Sequence, residues 1–334
     1  MDVPTTTIAQ QGNVQSNDTS TNGTANLNGS EPATPTDASF PFNSPHADVI
    51  LRSSDGMNFR VRKAILAEAS PFFETMFSLP NGAEQPAHTG GSDAQPGLPV
   101  VPMSESSTVV DGLLRFCYPA NRRLQEMKLD DVLVLLPAAR KYTMDQMVEY
   151  IISMLRNFTE GAPLRIYCVA IHFQLGEDLI RAAARGFLNQ PVAYPYTTVA
   201  ELDLISGSAH ARLLDYHNRC SLSVQNETQP GMIDVGTNAA HSWACGAEGF
   251  NSNGSRRYIT SWFSAFMQRC QQLVRQYPSR KGFDSGASIV QALADAKKCD
   301  FCGPKALADV QTFLSLLTDS INEAISKISL EIVA

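Results

Sequence analysis

The chain has 334 residues, 43% of them apolar, and its 26 Lys and Arg against 33 Asp and Glu leave a net charge of −7 and a pI near 5.4. That is material for one or two domains with a real core, while the acidic balance argues against nucleic acid as a partner, since phosphate binding draws on clustered Lys and Arg. A membrane is also disfavoured: no apolar run approaches the roughly 18 residues of a span, and the best, 132–139, is interrupted by Pro137.

The start, Met1-Asp2-Val3-Pro4, has neither the basic nor the apolar stretch of a signal peptide. Seven cysteines, an odd number scattered along a long chain, fit a reducing compartment better than a disulfide framework. A cytoplasmic or nuclear location is expected.

Residues 1–39 contain no aromatic residue, no Lys and no Arg, a composition that cannot bury enough surface to fold. A disordered leader is expected over 1–44, with Phe40 and Phe42 opening the folded part. In 47–77, Val49 and Leu51 alternate with polar neighbours, Asp55-Gly56 supplies a hairpin-type turn, and Phe59 and Val61 resume the period of two. Two strands come first. Helical spacing then takes over at Ile65, Leu66, Ala69, Phe72, Phe73, Met76 and Phe77, and Ser70-Pro71, an N-cap followed by a first-turn proline, restarts the helix midway.

Glycine and proline crowd 78–97, which reads as a surface loop. Val100-Val101, between Pro99 and Pro102, fits a short edge strand. Val109, Val110, Leu113, Leu114 and Cys117 share one helical face that stops at Tyr118-Pro119. Asp130 is suited to cap a helix bearing Val132, Leu133, Leu136 and Ala139, and Thr143 with Gln146 forms a capping box for the next, through Met147, Ile151 and Leu155. Further helices are expected at 164–190 in two parts separated near Gly176, then at 199–205 and 209–218. A loop follows over 220–256, where periodicity fades, and helices resume at 257–277, 287–298 and 305–332.

The opening block resembles the BTB/POZ domain, in which Asp-Val-x-Leu is followed by Phe-x-Val-His-Lys-x-x-Leu and then Ser-Pro-x-Phe-x-x-Met-Phe. Asp48-Val49, Leu51, Phe59, Val61, Lys63, Leu66, Ser70-Pro71, Phe73 and Met76-Phe77 match without a gap, and Arg62 stands where the family usually has histidine. Leu114 to Tyr118 and Ala139 to Met144 resemble later family motifs. The resemblance implies an α+β BTB/POZ domain, a small sheet with a helical cluster, over 45–158. A helical extension at 159–219, the loop at 220–256 and an α-helical C-terminal region at 257–334 complete the layout, similar to that of BTB proteins expanded in fungi. It also implies association rather than catalysis: a homodimer or a pairing with another BTB-type protein through Asp48, Val49, Lys63, Leu66 and the first helix. A second implication is a substrate adaptor for a cullin-type ubiquitin ligase, although such adaptors carry a hydrophobic-x-Glu element where this chain has Ser78-Leu79-Pro80-Asn81-Gly82.

Outside that block the sharpest chemical pattern is Cys299-Asp300-Phe301-Cys302-Gly303-Pro304. Two thiolates at this spacing can share a zinc ion, and Cys220 and Cys245, with His217 and His241 as substitutes, are candidates to complete a structural site. Glu248 stands where a second C-x-x-C would close, so the pattern is half specified; Trp243-Ala244-Cys245 resembles a Trp-x-Cys segment that fungal BTB proteins pair with a later C-x-x-C. Reduced thiols packed in helices are the plainer reading, and a thiol oxidoreductase built on Cys299 and Cys302 is the reading of another class, without the βαβ surroundings it needs. Cys117, Cys168 and Cys270 sit on apolar helical faces and read as small core residues. No phosphate-binding loop, His-Glu-x-x-His or Gly-x-Ser-x-Gly occurs. The last helix repeats Leu307, Val310, Leu314, Leu317, Ile321, Ala324 and Ile328 at steps of three and four, but Phe313, Leu316 and Ile325 widen the stripe in favour of packing on its own domain.

Overall fold

A computed structural model describes residues 35–79, 98–118, 127–192, 198–227, 248–252, 255–282 and 286–332. The alternation after Asp48 becomes an antiparallel pair, β2 (Val49–Arg52) and β3 (Met57–Val61), with Val49 opposite Val61 and Leu51 opposite Phe59. Those four side chains all point into the core. Gly56 takes φ +84° in the connecting turn, a conformation that glycine adopts without a Cβ clash. β4 (Val100–Pro102) lies parallel to β2 at the sheet edge, as its flanking prolines require.

The opposite edge corrects the expected leader. β1 (Thr36–Asp37) pairs parallel with β3, Asp37 forms an ion pair with Arg60 at 3.3 Å, and Ala38 and Phe42 are buried. The folded part therefore begins inside 1–44. A two-residue strand takes its hydrogen bonds from a neighbour already in place, so composition does not betray it.

Two short helices follow, α1 (Lys63–Ala69) and α2 (Pro71–Ser78), and Ser70 between them accepts the Phe73 N–H at 3.2 Å on its hydroxyl. The same hydroxyl donates to the Tyr142 carbonyl, tying this corner to a segment 72 residues away. The expected loop at 78–97 lies almost wholly outside the described residues. α3 (Ser107–Cys117) is capped from a distance: Asp55 in the hairpin turn accepts the Ser107 N–H at 2.9 Å and its hydroxyl at 2.6 Å. These bonds, with that of the Ser53 hydroxyl, hold the Asp55 carboxyl below the usual carboxylate range.

α4 (Leu129–Lys141) and α5 (Asp145–Arg156) form where expected, without the expected caps. Lys128 occupies the N-cap of α4, and Asp130 lies in its first turn, 2.6 Å from Arg165. Thr143 does not cap α5. The end of α4 closes on itself instead, with the Met144 N–H bonded to the Ala139 carbonyl at 2.9 Å and the Thr143 N–H to the Arg140 carbonyl at 3.0 Å. That doubly bonded C-terminal closure places Thr143 in the left-handed region at φ +49°.

α6 (Pro163–His172) ends the same way around Gln174, and α7 (Glu177–Phe187) starts after Gly176. α7 packs close to the turn after α5: a Cβ on Gly186 would stand 2.0 Å from the Thr159 carbonyl oxygen. A 3-10 turn at Ala200–Leu204 leads into α8 (Gly207–Glu227). The helix expected to end at 218 runs on because Leu213, Tyr216, His217, Cys220 and Val224 form one buried stripe. The expected loop at 220–256 is thus corrected at both ends, for β5 (Glu248–Ser252) and β6 (Ser255–Ile259) pair antiparallel. The residues of these strands, Glu-Gly-Phe-Asn-Ser and Ser-Arg-Arg-Tyr-Ile, are largely polar and carry no alternation that would have announced them.

α9 (Ser261–Gln276), α10 (Gly286–Ala296) and α11 (Ala306–Ser326) complete the fold. Val310, Phe313, Leu317, Ile321 and Ala324 of α11 are buried, with Phe313 edge-to-face against Phe263 and Phe266. Leu307 and Leu316 at its margins stay exposed, and the rest of the stripe packs on the chain's own core. α11 stops at Ser326 rather than 332, and residues 327–332 are not helical. One hydrophobic core runs from the small sheet to α11.

Candidate interaction surface

Of the four residues expected at an interface, two face inward. Val49 is 0% and Leu66 1% exposed, so any association surface draws its apolar area from other side chains. The matching motif marks them as apolar, and the fold uses them to join sheet and helices.

Asp48 and Lys63 do meet, but through the main chain. The Asp48 carboxylate accepts the Lys63 backbone N–H at 2.7 Å, satisfying one of the open donors at the start of α1. The Lys63 ammonium lies over the Phe77 ring, 5.6 Å from its centroid. Arg62, in the place of the family's histidine, donates its backbone N–H to the Tyr118 hydroxyl at 2.9 Å and its Nε to the His46 carbonyl at 3.4 Å. The strand-to-helix junction is closed.

The exposed apolar side chains here belong to α2 and its end. Phe77 stacks on Phe73, which stacks on Tyr142, while Phe72 is 40% exposed and Leu79, next after α2, is 58% exposed. Asp48, Lys63, Phe77 and Leu79 therefore lie around the open end of the α1–α2 pair. Sequence reading missed Leu79; its place in a Gly- and Pro-rich stretch gave it the look of loop.

The cysteines divide differently. Burial pushes the thiols of Cys117, Cys168 and Cys270 up to about 12, well above reactivity at neutral pH. Cys220 is buried in α8, its thiol pushed up to about 11 by burial. Cys299 and Cys302 form one turn between α10 and α11: the Gly303 N–H donates to the Cys299 carbonyl at 3.0 Å, and the Cys302 carbonyl accepts the Ala306 N–H at 2.9 Å. Cys302 is buried and stands outside the N-cap, Lys305, because α11 starts at Ala306 and not at Pro304. Among the described residues no group of three or more His, Cys, Asp and Glu is placed to hold a metal, so Cys220, Cys299 and Cys302 do not gather into one. Cys245 and His241 lie outside the described residues.

A small mixed sheet is capped by short helices, and among the described residues the apolar corner at the end of α2 stands open. Residues 41–159 match the model of the BTB/POZ domain, and the chain is a BTB/POZ domain-containing protein. No curated protein matches it. Among the described residues, no helix is long and apolar enough to cross a membrane.

Proposed function

We propose that this protein works by association, not turnover, and that its BTB/POZ domain docks a second copy of the chain against the corner formed by Asp48, Lys63, Phe77 and Leu79. The observation that carries this reading is Leu79, a large apolar side chain 58% exposed beside a closed core. Burying such surface drives most association, and the neighbouring Asp48 and Lys63 supply opposite charges that fix register across a two-fold axis.

Light scattering on the full chain during size exclusion tests it. A dimer mass is expected, and Leu79→Glu should weaken the dimer at least tenfold, since a carboxylate would lose its water in the contact. A monomer at the highest concentration reached overturns the proposal. Recovery of a cullin with the purified chain would instead favour the ligase-adaptor reading.

A further inference from the structure

Past the end of α11, residues 328–332 read Ile-Ser-Leu-Glu-Ile, with apolar side chains at every second position. Burial follows that alternation, as in an extended chain: Leu330 is buried, Ile328 and Ile332 are half-buried against the core, and Ser329 and Glu331 are exposed. Two helices hold the main chain. Arg219 of α8 donates through Nη2 to the Ser329 carbonyl at 3.0 Å, and Arg181 of α7 through Nη1 to the Leu330 carbonyl at 3.4 Å. A carboxylate one turn earlier on the same helix orients each guanidinium, Asp215 for Arg219 at 2.7 Å and Glu177 for Arg181 at 2.8 Å.

Arginines that bond consecutive main-chain carbonyls recognise an extended backbone whatever its side chains, while the spacing of apolar pockets selects sequence. The segment is held by buried Leu330, by Ile328 and Ile332 half-buried on either side of it, and by the hydrogen bonds from the two partly exposed arginines.

We propose that the face shared by α7 and α8 is a docking site for an extended peptide of a partner protein, apolar at alternate positions, and that residues 328–332 fill it in cis as an exchangeable ligand. This site is independent of the BTB/POZ surface. Tethered to α11, the resident segment acts at an effective concentration on the order of millimolar, so a partner peptide enters by binding more tightly than the chain's own sequence.

The test is a labelled peptide, Ser-Lys-Ile-Ser-Leu-Glu-Ile-Val-Ala, titrated with the full chain, with its Leu330→Asp variant and with the Leu330→Asp/Arg219→Ala double variant. Circular dichroism on each reports the fold. The Leu330→Asp chain should keep its helix content and bind the peptide at least tenfold more tightly than the wild type, and Arg219→Ala should remove that gain. A folded Leu330→Asp chain that gains no binding overturns the proposal. So does an unfolded one, because the segment would then be an integral piece of the core. A wild-type dimer that Arg219→Ala dissolves would assign the site to a second copy's segment and not to a partner.

Discussion

Several single side chains bind together segments that are remote in sequence. Tyr142 is the densest case: its ring stacks on Phe73 and meets Phe72 edge-on, its hydroxyl donates to Glu105, and its carbonyl accepts from Ser70. Burial and the Glu105 carboxylate push its phenol up to about 12. His217 makes a similar junction, buried in α8 with Nε2 3.2 Å from the Gln190 carbonyl and its ring edge-to-face on Phe187. Burial lowers its affinity for a proton below the ordinary value of 6.5, against the opposing pull of the Gln190 bond. As pH falls through 6.5 the unfolded chain takes up a proton that the folded chain refuses, so stability drops across this window and levels off once pH is below the folded value. Urea unfolding from about pH 7 to 5 should show that decline, and His217→Gln should flatten it. Equal slopes in the two proteins would dismiss the effect.

At the scale of elements, a local signal sets the start of α2, whereas α3 is capped from a distance and α4 and α5 start without the caps the sequence suggests. Ser70-Pro71 acts as the sequence implies because both partners of the cap lie within one turn. Thr143 and Gln174 were not legible as helix ends: each sits at the left-handed position of a doubly bonded C-terminal closure, where glycine is the usual residue. Holding a side chain there costs roughly 1–2 kcal/mol, and β-branched Thr143 suffers more than Gln174. Glycine's greater freedom in the unfolded chain offsets part of the gain. Gln174→Gly should therefore raise the stability seen in urea unfolding by up to about 1 kcal/mol, and Thr143→Gly by more. A loss in both would show that the side chains do more at these positions than occupy them.

For the whole molecule, the question is whether the BTB/POZ part and the later helices unfold together. The core is continuous between them, Arg165 of α6 pairs with Asp130 of α4 and with Glu201 at 2.6 Å each, and the Tyr167 hydroxyl donates to the Ala209 carbonyl at 3.0 Å. The ion pairs are partly exposed and add little, on the order of 0–1 kcal/mol each; the shared apolar surface is the stronger link. Both tryptophans, Trp243 and Trp262, lie beyond the domain match, so fluorescence follows the part of the chain after that match while circular dichroism follows the whole chain. Coincident midpoints are expected. Two separated transitions would mean that the parts are coupled only loosely.

The amino-acid order by itself determined the elements whose information is local: the β2–β3 hairpin, the broken α1–α2 pair, the edge strand β4, and through them the BTB/POZ assignment. It also implied that α11 packs on its own core, since its apolar stripe is too wide for a two-position seam. What only the tertiary structure decided depends on contacts between distant segments. β1 exists because β3 offers it an edge, α8 runs on because its polar-looking second half has a buried side, and 328–332 leave the helix for a seat built by α7 and α8. The same reason separates Val49 and Leu66 from Leu79: alternation and spacing say that a side chain is apolar, and only the assembled neighbours say whether it is covered.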